Sequence, residues 1–346
     1  MTAVLRAFRA LFVLGAVLAL LAAACSSADD GQAAKAAGGA AGAAAAGGVA
    51  GSSDGGPSGG AAGSSGAAGS GGAAGSVGGS GGVALDAGSD APPGPVSGTL
   101  SLLTYNVAGL PQGISKGNPI VNTPLISPLL NPYDLVFVQE DFTYHAQLIA
   151  SVTHPYLSTP LTTGGALGDG LNRLARYQFS EFVREAWLDC NGLVDQGSDC
   201  LTKKGFSAGL HHLANGVWVD IYNLHMDAGS NGADYAAREK QTQQLLIAIA
   251  SRSKDMAIIV TGDTNMKVAD EPVLQALLAG AALKDACREL NCPEPNRIDR
   301  VMFRNSKALT LTPKNWRVDQ TFVDSSGGPL SDHEAVGVDF DWDFQP

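Results

Sequence analysis

A few kinds of polar residue recur where apolar, β-branched runs stop. Asn106 closes the run that starts at Leu100, and Glu140 follows Leu135-Val136-Phe137-Val138-Gln139. His225 follows the alternating stretch Gly216 to Leu224, Asp263 and Asn265 follow Ala257-Ile258-Ile259-Val260, and Asp332-His333 precede the run from Ala335. Side chains at strand ends along one rim of a sheet can converge on one cleft. Carboxylates and an amide there make an all-oxygen site for a hard cation such as Mg²⁺, which keeps several of its waters. Two imidazoles beside them supply an acid and a base near neutral pH. Each residue alone has an ordinary use: Asn106 as a strand-end cap, Asp263 in a turn after Gly262. The set points to chemistry.

The elements that must position these residues can be read from periodicity. Strands are expected over Leu100–Asn106, Leu135–Val138, Gly216–Leu224, Ala257–Val260, Ile298–Phe303 and Ala335–Phe340. Tyr235 to Ile249 has the helical period, with Leu245, Leu246 and Ile249 on one stripe. Glu271 to Leu278 is a second helix, with Pro272 in its first turn, where a missing N–H costs nothing. Several strands adjoin without an intervening helix. That predicts an α/β (α+β) domain in which two mostly antiparallel sheets pack together with helices outside, not a purely parallel doubly wound sheet.

The segments Leu103-Thr104-Tyr105-Asn106-Val107, Val138-Gln139-Glu140, Asn223-Leu224-His225, Gly262-Asp263-Thr264-Asn265, Ile298-Asp299-Arg300-Val301 and Ser331-Asp332-His333 come in a telling order. It is the order of the endonuclease/exonuclease/phosphatase superfamily, which includes DNase I, abasic-site endonucleases, inositol-polyphosphate phosphatases and neutral sphingomyelinases. The chain resembles that family over residues 99–346. The resemblance implies a DNase I-like four-layer sandwich and a metal-dependent phosphoric ester hydrolase in which water attacks phosphorus in line. It makes Glu140 the main metal ligand, with Asn106 beside it and Asp332 in support. Asp263 and Asn265 would orient water and phosphate, or hold a second ion. His333 would be the general base, oriented by Asp299, and His225 the donor to a phosphate oxygen or leaving group. Asp169, in Gly168-Asp169-Gly170, is the expected carboxylate partner of His225. The expected cofactor is Mg²⁺, with Mn²⁺ or Ca²⁺ as alternatives, in a monomer acting on a phosphoester.

Two features lean toward a phospholipid headgroup as substrate. Lys203-Lys204-Gly205-Phe206 resembles the Lys-Gly-aromatic segment of sphingomyelinases, and Arg238, Gln241 and Gln244 resemble their helix after the same histidine. The chain departs from them at Met226-Asp227, where Asp227 is expected to point the same way as His225. Trp316 is a candidate bilayer contact. The rival readings are a secreted nuclease, an inositol or sugar phosphatase using Arg173, Arg176 and Arg184, and a non-catalytic surface lipoprotein. His145, His154, His211 and His212 match no motif and read as surface or packing residues.

The N-terminus carries Arg6 and Arg9, an apolar run from Ala10 to Ala24, and Cys25 after small residues. Residues 1–25 therefore read as a lipoprotein-type signal with lipidation at Cys25. Ser26 suggests outer-membrane sorting, and cleavage after Ala24 without acylation would give a secreted product instead. Residues 26–98 are almost all Gly, Ala and Ser, a linker that cannot bury enough surface to offset its ordering entropy. The net charge of −11 falls almost wholly on residues 99–346, which disfavours nucleic acid as a partner. In an exported chain the four remaining cysteines are expected to pair locally, Cys190–Cys200 and Cys287–Cys292. Their spacings fit no zinc pattern.

Overall fold

A computed structural model of the chain describes residues 96–161, 167–192, 199–200 and 202–346. The signal segment with Cys25 and the linker up to residue 95 lie outside the described residues.

Two six-stranded sheets form the domain. In the first, β11 (Leu309–Val318), β12 (Val336–Phe344), β1 (Val96–Asn106), β2 (Leu135–Gln139), β4 (Asn172–Ala175) and β3 (Tyr156–Leu157) lie in that order. In the second the order is β5 (Phe179–Ala186), β6 (Gly205–Ala214), β7 (Val217–His225), β8 (Ile258–Asp263), β10 (Asp299–Arg304) and β9 (Lys284–Asp285). The pairs β1–β2 and β7–β8 are parallel, and every other pairing is antiparallel. The helices are α1 (Pro119–Leu129), α2 (His145–Leu148), α3 (Gly232–Arg252), α4 (Glu271–Gly280) and α5 (Ala286–Glu289).

Strand parity explains the four layers. Because successive side chains alternate, one face of each central strand meets the other sheet and the opposite face meets helices. Leu100 and Leu102 of β1, Leu135 and Phe137 of β2, Val219 and Ile221 of β7 and Ile259 of β8 share the inter-sheet core. Leu103, Tyr105, Val136 and Val138 pack instead with Ile126 and Leu130 at α1. Tyr222, Leu224, Ile258 and Val260 pack with Leu245 and Ile249 of α3 and Leu274 and Leu277 of α4. Central strands buried on both faces read as continuous apolar runs, which is why they are visible in the sequence.

β1 begins at Val96, inside the stretch read as linker. Its pairing runs the full length of β12, from Val96 opposite Phe344 to Thr104 opposite Val336. Gly98 belongs to that strand because a Cβ there would lie 2.6 Å from the Trp342 indole. The local disulfides form as expected, with Cα separations of 5.4 Å for Cys190–Cys200 and 5.0 Å for Cys287–Cys292.

Candidate active site

The two parallel pairs aim their C-terminal ends at one rim. Asn106 ends β1 opposite Gln139, the residue before Glu140, and His225 ends β7 opposite Asp263, the last residue of β8. Asp299, the first residue of antiparallel β10, pairs with Asp263. Asn106, His225, Asp263 and Asp299 all have the parity of the inter-sheet core residues, so they enter the cleft between the sheets. Below them lies a polar layer. Gln139 Nε2 donates to Thr104 Oγ1 at 3.1 Å and to Asn223 Oδ1 at 2.7 Å, and Asn223 Nδ2 donates to the Val138 carbonyl at 2.9 Å.

Asp263 Oδ2 is the hub. Asn106 Nδ2 donates to it at 3.2 Å, His225 Nε2 lies at 3.3 Å and His333 Nε2 at 3.7 Å. Asn106 Nδ2 also reaches Glu140 Oε1 at 3.1 Å, while its oxygen accepts from the Ala108 N–H at 3.0 Å. In this orientation Asn106 serves the carboxylates as a donor. His333 Nδ1 sits 3.1 and 2.9 Å from the two Asp299 oxygens, which leaves Nε2 facing Asp263. Ser331 fixes that loop by donating to the Asn106 carbonyl at 2.7 Å and accepting from the His333 N–H at 3.2 Å. Asn265 donates its backbone N–H to Asp263 Oδ1 at 2.9 Å and its amide to the Met226 carbonyl at 3.0 Å.

Backbone strain gathers here. Ala108, Glu140 and Asn265 hold φ of 48°, 56° and 50°, in the left-handed region that costs a side-chain-bearing residue about 1 kcal/mol or more. Three such residues around one cleft mark a site whose geometry the rest of the fold enforces.

The electrostatics separate the two histidines. Burial drives the His225 pKa well below its ordinary value, and the positive charges on Lys204 and His333 add to this, so His225 is neutral. Burial also opposes charge on His333, but Asp299 and Asp263 outweigh it and raise its pKa well above the usual range. Burial raises the pKa of Glu140 against the pull of Lys204, and that of Asp263 against the pull of His333.

Some expected residues are placed elsewhere. Asp169 is not the partner of His225: both its oxygens accept from Arg184 Nη1 at 2.7 Å, because Gly168 and Gly170, with φ of 68° and 66°, turn it away. Among the described residues the Nδ1 of His225 has no partner. Asp227 does not accompany His225 either. It lies past the end of β7, where the Asn191 N–H and Gln241 Nε2 bind its carboxylate at 2.6 and 2.7 Å. Arg238 Nη1 donates to the Asp227 carbonyl at 2.9 Å, so α3 clamps the segment that follows the histidine. Asp332 stands exposed at the rim, 3.4 Å from the Ser331 hydroxyl. Trp316 packs against the inter-sheet core.

The arginines proposed for a polyphosphate are occupied. Arg173 is buried between the sheets against Ser207 and Phe182, Arg184 holds Asp169, and Arg176 donates to the Asn131 carbonyl. That physical fact removes the cluster an inositol-polyphosphate phosphatase would use. The remaining histidines pack: His145 on Asp141, His154 on the Tyr133 carbonyl, His211 on the Gly209 carbonyl and His212 on the Trp218 ring.

Lys204, not Lys203, turns inward, and Asp199 accepts a hydrogen bond from its ammonium. Burial works against its charge, but Asp199, Glu140 and Asp263 outweigh burial and raise its pKa. Asp199 has no local sequence pattern that betrays this pairing.

The sequence profile of the endonuclease/exonuclease/phosphatase family matches residues 103–333, the span that runs from β1 to His333. The chain belongs to this family. Sphingomyelinases of Mycobacterium bovis and Mycobacterium tuberculosis are 32% identical over 277 residues, covering 72% of this chain and 54% of theirs. The chain thus spans about half the length of the curated relatives it matches. Sphingomyelinase C from Streptomyces griseocarneus superposes with a TM-score of 0.56 at 19% identity, covering 70% of this chain and 99% of that one. A D. rerio TDP2 carrying 14 humanising mutations gives 0.55 at 22% identity, covering 70% and 98%. These likenesses establish the family's DNase I-like sandwich for this chain.

The donor set fits a divalent cation. The carboxylates of Glu140 and Asp263 stand beside each other through their shared donor Asn106, and ligand-type atoms of Asp299 and His333 lie within 4.8 Å of Asp263, so negative charge is concentrated where an ion would sit. Buried carboxylates gathered so closely are stabilised by positive charge.

Proposed function

We propose that the chain is a metal-dependent phosphodiesterase that acts on the phosphocholine-type headgroup of a sphingolipid, by attack of water on phosphorus. The observation that carries this reading is the convergence of both imidazole Nε2 atoms on one oxygen of Asp263, with Asp299 behind His333. The similarity to sphingomyelinases favours the headgroup, and the acidic surface disfavours nucleic acid.

Glu140 and Asp263, with Asp332 at the rim, would hold a cation such as Mg²⁺, while Asn106 positions the two carboxylates by donating to both. When bound, that ion neutralises charge on the phosphoryl oxygens and offsets the carboxylate field that keeps His333 protonated. The protein does the rest. Asp263 and Asn265 orient the attacking water. Asp299 fixes the His333 tautomer so that Nε2 can take the water's proton. Neutral His225 donates a hydrogen bond to a phosphoryl oxygen, and the Trp187 indole, which donates to the His225 carbonyl at 2.7 Å, keeps the end of β7 in place. Lys204 adds a fixed positive charge against the developing negative charge, which is the largest kind of catalytic contribution.

The test is product release from sphingomyelin vesicles and from plasmid DNA, side by side, with Mg²⁺ and with EDTA. Metal-dependent phosphocholine release supports the reading. DNA nicking alone would move the chain to the nucleases. Export as an envelope lipoprotein through Cys25 belongs to the same proposal. Incorporation of labelled palmitate, lost in Cys25→Ser, checks it.

A further inference from the structure

The outward face of α1 is reversed in polarity for a surface helix. Its exposed positions are Ile120, Val121, Pro124, Leu125 and Pro128, spaced i, i+1, i+4, i+5, i+8, which is one continuous helical stripe. Every one is apolar, and Ile120, Val121 and Leu125 are 54%, 51% and 43% exposed. Polar Thr123 and Ser127 face inward with Ile126, and among the described residues the Thr123 hydroxyl has no partner. Ile126 and Leu130 already fasten the helix to the first sheet, so packing does not account for the outer stripe.

Its surroundings narrow the occupant. From Val107 to Tyr133, Lys116 is the sole charged side chain, in a chain of net charge −11. A cavity of about 280 Å³ joins the start of the helix to the catalytic rim, lined by Lys116, Asn118, Pro119, Asn122, Ser331 and Asp332. The stripe therefore borders the site that would receive a headgroup. An eleven-residue helix offers a footprint of roughly 160 Å², far below the ~800 Å² per partner of a stable protein interface. A bilayer surface sets no minimum footprint, because attachment there scales with the apolar area that enters its interfacial zone. Among the described residues no helix is long and apolar enough to cross a membrane.

We propose that α1 is a membrane-docking face. Its apolar stripe enters the interfacial zone of a zwitterionic phospholipid bilayer, with Lys116 at the level of the lipid phosphates. The usefulness of this face rests on the phosphodiesterase reading; the docking itself does not.

The test is co-sedimentation of residues 26–346, which lack both the acylation cysteine and the apolar run Ala10–Ala24 and keep every described residue, with phosphatidylcholine vesicles in EDTA. No substrate is present, so a failure of the phosphodiesterase reading leaves this result untouched. The combined variant Ile120→Ser/Val121→Ser/Leu125→Ser should bind at least tenfold more weakly with an unchanged melting temperature. Ile247→Ser, which alters an equally apolar exposed residue on α3, should bind as the parent does. As a second readout, Val121→Cys labelled with an environment-sensitive fluorophore should shift to the blue on vesicle addition. Unaltered binding in the combined variant, equal loss in Ile247→Ser, or no spectral shift would overturn the proposal. So would a parent dimer that the combined variant abolishes, since the face would then join two copies of the chain.

Discussion

Asp263 Oδ2 has two imidazoles and an amide within 3.7 Å, and neighbours of opposite sign set the two imidazoles apart. Burial, helped by Lys204 and His333, lowers the His225 pKa well below its ordinary value, while on His333 Asp299 and Asp263 outweigh burial and raise it. In the proposed reaction His333 exchanges a proton with the attacking water through Nε2, with Asp299 behind Nδ1, and His225 only donates a hydrogen bond. His333→Ala should therefore lower turnover by ~10³-fold, within the span of general acid–base contributions, with the circular dichroism unchanged; parent-like turnover would remove His333 from the reaction. Asp227 makes a different prediction. Burial, with help from Asp199, pushes its carboxyl up to about 6 from the ordinary 3.8, although Asn191 and Gln241 bind it. Between those values the folded chain binds more protons than the unfolded one, so this group's contribution is full below about pH 4 and is lost as pH rises through 6. The shift corresponds to about 3 kcal/mol. Unfolding by urea at pH 4 and pH 7 should show a smaller stability difference in Asp227→Asn than in the parent.

At the level of strands and helices, the site is a consequence of parity. Thr104, Asn106, Gln139, Asn223, His225 and Asp263 occupy inward positions that continue the apolar inter-sheet rows, and the change from apolar to polar along those rows forms the floor of the cleft. Gln139→Leu would strand the Asn223 oxygen and the Thr104 hydroxyl in a buried layer. It should cost about 2–4 kcal/mol in urea unfolding and lower turnover as well; loss of activity at full stability would mean that Gln139 acts on substrate rather than on sheet spacing. The sequence made these rows legible because central strands buried on both faces leave unbroken apolar runs ending in polar residues. Glu140, His225 and Asp263 follow such runs and His333 precedes one, while α3 and α4 show in the helical period. Other features were hidden for physical reasons. The prolines at 119, 124 and 128 masked α1, since Pro124 and Pro128 lack the N–H an interior helical position uses. Asp169 went to Arg184 because two left-handed glycines steer it, and Asp199 met Lys204 through a disulfide-closed segment. Neither leaves a trace in local spacing. The meeting of Gln139 with Asn223 across the sheets is hidden in the same way, since each lies within its own strand.

For the molecule as a whole, the acidic balance and the buried carboxylate cluster act in the same direction. Glu140, Asp263 and Asp299 share one cleft, with Asp332 at its rim, in a chain whose net charge is −11. Lys204 and His333 compensate only part of this. An ion that binds the folded chain alone stabilises it by about 2.7 kcal/mol at a hundredfold excess over its dissociation constant. For a domain of this size each kcal/mol moves the melting temperature by roughly 2–4 °C, so saturating Mg²⁺ should raise it by roughly 5–10 °C over EDTA. Simple screening of a net charge of −11 would also raise it, but sodium chloride at the same ionic strength would then do as well. The two causes separate at Glu140. Glu140→Gln removes one carboxylate and hardly changes the total charge, so screening predicts an undiminished Mg²⁺ effect, whereas site binding predicts the loss of most of it. A Mg²⁺ shift that survives in Glu140→Gln and is matched by sodium chloride would assign the effect to the surface, and Glu140 would no longer stand as the principal metal ligand.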